Sequence, residues 1–504
     1  MAQQAAAIPL RATWRAVTWE GDGDAGHPHN WSDMRKWAIT VLLSLGGLVT
    51  LMSGAMLAPA LASIASDLGT SQDEAQIFLS IFVLSFAFGP MVLAPLAETF
   101  ERRQVWIVSN CFYILWNTVC GFSVTSGLLI AGRLLAGIGA SVDFAVTNPV
   151  LADLWPPSQR GKSFAIATFL PLLGPALGPI VGGAVTQTIG WRWIFWILSI
   201  SDSVLVLVGL AVFRETYGII LLRRRAATLR KQTNQPYHVA NDDGGSDPLT
   251  SKLSRALTRP VRLLATQPAL QIMSLFLAYN FGVLYIVLST FASLWVERYR
   301  QTEAQSGLHY LALVIGYTPA AQVGARGTDR LWRHLKEKKA GGDGDAAPEY
   351  RVPLMVPGAM LIPAGLFVYG WTADRCAPWI WPDVGAALFG CGIILNTQSI
   401  QAYVMDAYST YVASATAASQ FLRSIAGFAF PLFALLMYRS LGYGWGNSLL
   451  AFVSLALGLP APLLIWRYGA RIRAKGKPQW MGLTIQQYSF SDSLPSLVVS
   501  GTFG

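Results

Sequence analysis

Arg133 and Asp143 are the residues whose placement suggests chemistry first. Arg133 lies in Leu128-Leu-Ile-Ala-Gly-Arg-Leu-Leu-Ala-Gly-Ile-Gly-Ala-Ser141, a run otherwise without charge, and Asp143 follows ten residues after it. Ten residues are close to three turns of an α-helix, so the two side chains are expected to face one interior. A guanidinium in apolar surroundings can bind an anionic group or set the protonation of a nearby acid. A carboxyl group there can take up and release a proton. Charges so placed in an apolar run must face a wet cavity or a partner. The plainer alternatives are an Arg that snorkels toward a polar boundary and an Asp that only bonds a neighbouring helix.

Two further groups stand out. Glu98, Arg102, Asp153 and Arg160 lie at the ends of apolar runs, as do Asp329 and Arg333 further along. They are spaced to form ion pairs that latch a gate and break when it opens, or else a solvated cluster. Tyr279, Asn280, Tyr285, Asn396, Gln398 and Gln420 are polar groups inside apolar runs. Apolar walls with a few polar anchors suit a small organic molecule, and the same residues serve equally well as glue between helices. Other chemistries lack their residues. The five His stand in polar segments and the four Cys show no CxxC spacing, so no metal site, cofactor, disulfide framework or nucleophilic enzyme is expected.

The elements that must position these groups follow from composition. Of 504 residues, 53% are apolar and 13% charged, with a mean hydropathy of +0.43. Soluble domains carry about 25% charged residues, roughly twice as many. Apolar windows long enough to cross a bilayer fall at 38–60, 76–97, 104–123, 127–150, 162–185 and 192–213, then at 269–294, 306–325, 353–372, 384–404, 415–438 and 447–467. The expected fold is an all-α membrane protein of twelve transmembrane helices in two pseudo-symmetric six-helix bundles, 38–213 and 269–467. The polar segment 1–37, the central loop 214–268 and the tail 468–504 complete the chain, and 1–37 does not read as a cleavable signal. Thirty of the 37 Lys and Arg residues fall on the side that holds both termini and the central loop. The positive-inside rule makes that side cytoplasmic. The net charge of +10 is thus a matter of topology, and no nucleic acid is expected as a partner.

Two patterns extend this reading. Ala94-Pro-Leu-Ala-Glu98-Thr-Phe-Glu-Arg102 and Ala325-Arg-Gly-Thr-Asp329-Arg-Leu-Trp-Arg333 place an acid four residues after Ala and four before Arg, at equivalent points of the two halves. Such a match suggests a duplicated six-helix unit. Gly174, Gly178 and Gly182, with Gly183 beside them, make a small-residue stripe on one helix face, and Pro175 and Pro179 bend that helix.

With these residues on the page, the chain resembles the major facilitator superfamily, in its fungal twelve-span drug:proton antiporter group. The resemblance runs from Asn30-Trp31-Ser32 to about Arg473. It rests on Arg133 with Gly137 and Gly139, Asp153-Leu-Trp-Pro-Pro-Ser-Gln-Arg-Gly161, the Gly174–Gly183 stripe, Gly190-Trp-Arg-Trp193, Glu215-Thr-Tyr217 and Asp406-Ala-Tyr408. The stripe matches the family's antiporter signature. The resemblance implies proton-coupled export of small hydrophobic or cationic compounds, such as a drug, toxin or secondary metabolite, by a monomer in the plasma membrane. A nutrient or polyamine transporter of the same fold and a ligand sensor that moves nothing are the competing expectations. The chain departs from the family where Ala94 and Glu101 replace Gly, where Glu98 replaces Asp, and at Asp143.

Overall fold

The computed structural model describes residues 15–20, 23–233, 237–239, 249–340, 347–408 and 412–476. Apolar runs without a partner strand can satisfy their backbone only internally, so they coil into helices. In the first half these are α1 (Asp33–Ala55), α2 (Leu61–Leu68), α3 (Gln72–Phe100), α4 (Arg102–Gly121), α5 (Ser126–Ala140), α6 (Val142–Leu154), α7 (Pro157–Thr188) and α8 (Arg192–Val212). Next come α9 (Gly218–Thr233) and α10 (Leu249–Thr266). The second half holds α11 (Pro268–Ser293), α12 (Glu303–Leu308), α13 (Leu311–Ala340), α14 (Met355–Asp374), α15 (Ile380–Ala407), α16 (Val412–Gly458) and α17 (Pro460–Lys475).

Nine described stretches are long and apolar enough to cross a membrane. One of them, Ser414–Lys475, has 62 residues, enough for two passes, and the chain reverses within it at Gly442, whose φ of +72° suits glycine. The other two passes are α4 and the first part of α13, each diluted by polar residues, which makes twelve. Large apolar side chains such as Leu207 (65% exposed), Leu436 (66%) and Ile315 (68%) point outward, the arrangement a lipid solvent requires.

Local details differ from the sequence reading in three places. The segment expected as one span, 127–150, falls in one apolar stretch, Ser126–Leu154, whose helical ladder is interrupted for a single residue at Ser141, between α5 and α6; Ser141 keeps helical dihedrals, and its hydroxyl bonds back to Ile138 O (2.7 Å). Of the two matched Ala–acid–Arg stretches, the first is interrupted at Glu101 (φ +96°) between α3 and α4, whereas the second continues as helix inside α13. The central loop is not a bare linker. It contributes α9, α10 and a strand β2 (Tyr237–Val239), and β2 pairs in parallel with β1 (Arg15–Val17) from the N-terminal segment. Arg225 fastens the two further by ion pairs with Glu20 and with Asp24 (2.7 Å). The N–H groups of Glu20 and Gly26, together with Arg225, hold the Asp24 carboxyl down at about 2.

Polar links between the halves gather at the end of the bundles away from the termini. There Ser63 donates to Glu303 (2.9 Å), the Ala304 N–H to Gln187 (3.2 Å), and Arg439 pairs with Asp73 (3.0 Å).

Candidate functional site

Arg133 is fully buried, and its fork is used on three sides. Nε donates to Phe78 O (3.0 Å), and the two terminal nitrogens donate to Ser53 Oγ (3.3 Å) and Ser53 O (3.0 Å). The guanidinium also lies 4.1 Å from the centroid of the Phe82 ring. Ser53 is in the last turn of α1, where carbonyls lack intrahelical partners, so a cation there completes the helix end and suits its dipole. Arg133 is therefore a clamp joining α5 to the end of α1 and to α3.

Asp143 is 4% exposed and is held differently. Thr50 Oγ1 donates to its Oδ2 (2.7 Å) and Trp106 Nε1 to its Oδ1 (3.2 Å). Among the described residues no hydrogen bond or ion pair joins Arg133 to Asp143. Ten residues of helix rise about 15 Å, so the two side chains sit at different depths whichever face they share. Both residues nevertheless meet the same element: Thr50 and Ser53 are one turn apart on α1.

The glycine stripe meets that turn from a third side. A Cβ at Gly174 would lie 2.7 Å from Leu51 Cβ, at Gly178 3.0 Å from Met52 O, and at Gly182 2.1 Å from Met56 O. The glycines on α7 thus let two backbones touch. Gly183 does the same against Glu303 O of the second half (2.4 Å to a Cβ), where Gly307 in turn faces Pro179 O (2.7 Å).

At the termini-bearing end, Arg102 pairs with Asp153 (2.7 Å) and stacks over Tyr217, 4.9 Å from the ring centroid. Thr216 donates to the same carboxylate (3.1 Å), and Glu101 pairs with Arg224 (2.5 Å). Glu98 is exposed, as is Arg333 on α13. The side chains of Arg160 and Asp329 lie outside those described.

The uncharged candidates divide. Tyr279 is committed to Leu450 O (2.5 Å), an interhelical bond. Tyr285 lies in the field of both Arg133 and Arg423, and the latter stacks over Phe281 at 4.3 Å. Among the described residues, both amide atoms of Asn280 and of Asn396 are buried without a hydrogen-bond partner, as are Gln398 Oε1 and Gln420 Nε2. Unpaired buried amides of this kind await either a ligand or a rearrangement. Gln420 also lines a pocket of about 10 Å³, room for one water, with Leu277, Ile400 and Ser419.

Two features, Asp202 and His309, escaped the sequence reading, and a third, Glu215, entered it only within the family marker Glu215-Thr-Tyr217. Asp202 on α8 is 2% exposed, with Oδ2 unpartnered, and is a second interior carboxyl group in electrostatic reach of Asp143. An acid in the middle of an apolar window was signal enough to find it. Glu215 is buried and accepts from the N–H groups of Arg103 (3.2 Å), Thr216 (3.0 Å) and Tyr217 (2.8 Å). His309, away from the termini, bonds Asp383 (2.7 Å) and stacks on Trp295 with centroids 3.6 Å apart.

Comparison with known proteins places this geometry. Residues 43–431 match the family model described as Major Facilitator Superfamily. A probable efflux pump of Aspergillus flavus is 42% identical over 423 residues, covering 83% of this chain and 99% of that protein. An efflux pump of Penicillium aethiopicum is 40% identical over 463 residues, covering 92% and 91%. Among solved structures, a D-xylose–proton symporter superposes with a TM-score of 0.62 at 16% identity, covering 86% of this chain and 97% of its own, which speaks for the fold alone. Twelve passes in two halves, a buried Arg clamp, a glycine stripe against α1 and these matches together make the chain a multi-pass membrane transporter of the major facilitator superfamily.

Proposed function

We propose that this protein exports small hydrophobic or cationic organic compounds in exchange for protons, with both termini in the cytoplasm and the plasma membrane as its site. The observation that carries the reading is Asp143, a carboxyl group buried within the helices, held by two neutral donors, one turn along α1 from the Arg133 clamp.

The two donors respond differently to a proton. Trp106 Nε1 can only donate, so it remains on Oδ1 whatever the charge of Asp143. Thr50 can also accept. When Oδ2 takes a proton, that O–H donates to Thr50 Oγ1, and the threonine hydroxyl turns to Ala140 O, 3.4 Å away. Releasing the proton restores the first arrangement. One proton thus redirects one hydroxyl on α1 at no loss of hydrogen bonds, a local two-state element that an alternating cavity can bias. For the compound itself, the amides of Asn280 and Asn396, Gln398 Oε1 and Gln420 Nε2, with Tyr285, are the proposed anchors, and the Arg102–Asp153 pair with Glu98, Arg160, Asp329 and Arg333 is the proposed inner gate. Export as the direction is supported by relatives whose names are efflux pumps.

The test is accumulation of a labelled compound panel in cells lacking their own exporters. Energised cells with the protein should retain less of at least one compound, and collapsing the proton gradient should cancel the difference. D143N should bind and exchange that compound while its net export no longer follows external pH. Accumulation that rises with the protein would instead favour uptake of a nutrient or polyamine. An export whose pH dependence is unchanged in D143N would remove Asp143 from the coupling.

A further inference from the structure

A second site of a different kind lies at the termini-bearing end. The beginnings of α1 and α4 and the end of α8 frame an open cleft of about 490 Å³, to which α9 contributes Leu221 and Arg224. Its walls carry four guanidinium groups, those of Arg35, Arg103, Arg214 and Arg224, and two carboxyl groups, those of Glu101 and Glu215. The acids are already spoken for. Glu101 pairs with Arg224 (2.5 Å), and Glu215 accepts three backbone N–H bonds. The remaining cations are not. Arg35 stacks on Trp31 with its guanidinium 5.6 Å from the ring centroid, and Arg214 is exposed; among the described residues neither has an acidic partner. Arg103 donates to Leu210 O (2.9 Å), while its Nε is buried without a partner.

We propose that this cleft binds a phosphate-bearing anion. Arg35, Arg103 and Arg214 stand at the ends of three membrane helices, at headgroup level, and the flat donor fork of arginine matches phosphate oxygens two at a time. Four guanidiniums against two carboxylates leave a net charge of +2, which matches a dianionic phosphate. The volume is that of a whole small-molecule site and far exceeds a bare phosphate ion, which favours a phosphorylated polyol such as an inositol phosphate. That chemistry arrives either as a lipid headgroup or as a soluble metabolite. Bound there, the ligand bridges α1, α4 and α8 to the helix that follows them.

The test uses the purified full-length protein in neutral detergent, with three probes: a short-chain phosphatidylinositol phosphate, soluble inositol bisphosphate and inorganic phosphate. Binding is read by native mass spectrometry and by quenching of tryptophan fluorescence, at two salt concentrations. R35Q/R214Q should weaken the inositol probes at least tenfold, whereas R467Q/R471Q, which removes equal charge from α17 at the same end, should change them less than twofold. Binding of the lipid with little binding of the bisphosphate assigns the lipid as the source, and comparable binding of both assigns a soluble anion. Either result supports the site. Equal affinity in R35Q/R214Q and the parent, or an equal loss in R467Q/R471Q, overturns it. Among the described residues neither Arg35 nor Arg214 makes a hydrogen bond that holds the fold, and if the double variant is not monodisperse the single variants R35Q and R214Q should each lose at least threefold.

Discussion

Replacing Arg133 tests whether its fork, not only its charge, matters. The side chain makes three hydrogen bonds, to Phe78 O, Ser53 Oγ and Ser53 O, and stacks on Phe82. Hydrogen bonds to a charged group contribute about 1.5–3 kcal/mol each. Lysine keeps the charge but places one compact ammonium where three nitrogens stood, so it can satisfy two of these acceptors and loses one bond. Glutamine loses the charge and can satisfy one. R133K should therefore cost about 1.5–3 kcal/mol, and R133Q, with two bonds lost, about 3–6 kcal/mol. At roughly 2–4 °C per kcal/mol for larger domains, the purified R133Q protein should melt about 6–24 °C lower, with R133K between it and the parent. The assay is thermal unfolding in detergent, followed by tryptophan fluorescence, alongside efflux from cells with matched surface expression. If the clamp holds α1 in place for transport, efflux should fall in the same order as melting temperature. Parental melting in R133Q would refute the clamp, and full efflux in a destabilised R133K would show that the fork serves stability alone.

Three further substitutions follow from the same geometry. G182A puts a methyl group 2.1 Å from Met56 O, a backbone atom that cannot step aside, so it should destabilise by about 1–3 kcal/mol and impair efflux. G178A, at 3.0 Å from Met52 O, should do less, and G127A, with open space around it, nothing measurable in the same melting assay. E101G should be at least ~1 kcal/mol more stable than E101A, because a φ of +96° strains any side chain, while the pair with Arg224, 57% exposed, contributes at most about 1 kcal/mol; equal melting of the two would remove the strain argument. D202N should express and fold like the parent yet change the pH dependence of efflux, and an unchanged profile would leave Asp143 as the proposed interior proton carrier without Asp202.

How far the sequence led depended on the kind of information each residue carries. Helix positions were legible because hydropathy over about twenty residues is a one-dimensional quantity that the bilayer fixes. Arg133 and the glycine stripe were legible too, since a charge or a run of small residues is conspicuous in an apolar segment. Pairings were not. The inference that Arg133 and Asp143 face one interior used angular spacing alone, and ten residues of helix also set them about 15 Å apart along the axis, where each finds its own partners. The strand pair between 15–17 and 237–239 joins segments more than two hundred residues apart, and three-residue strands carry no periodicity to detect. Thr50 and Ser53 are the plainest case. Nothing in an isolated Thr or Ser of an apolar helix distinguishes one that bonds its own backbone from one that holds a buried charge.

Those two residues change how the site is understood. Within a single stretch of α1, Thr50 bonds Asp143 on α6, Ser53 bonds Arg133 on α5, and Leu51, Met52 and Met56 abut the glycines of α7. The three features that the sequence offered as separate signals thus converge on residues 50–56. On the proposed mechanism, protonation turns the Thr50 hydroxyl from Asp143 toward Ala140 O, and that event occurs beside the contact where two backbones touch with no side chain between them. A close-packed contact of this kind accommodates a shift only by changing its packing, because it has no flexible side chains to absorb movement. The Arg133 clamp limits what the end of α1 can do in response. Proton binding, the clamp and the stripe are then three constraints on one turn of helix, and altering any one of them should change the effect of altering the others.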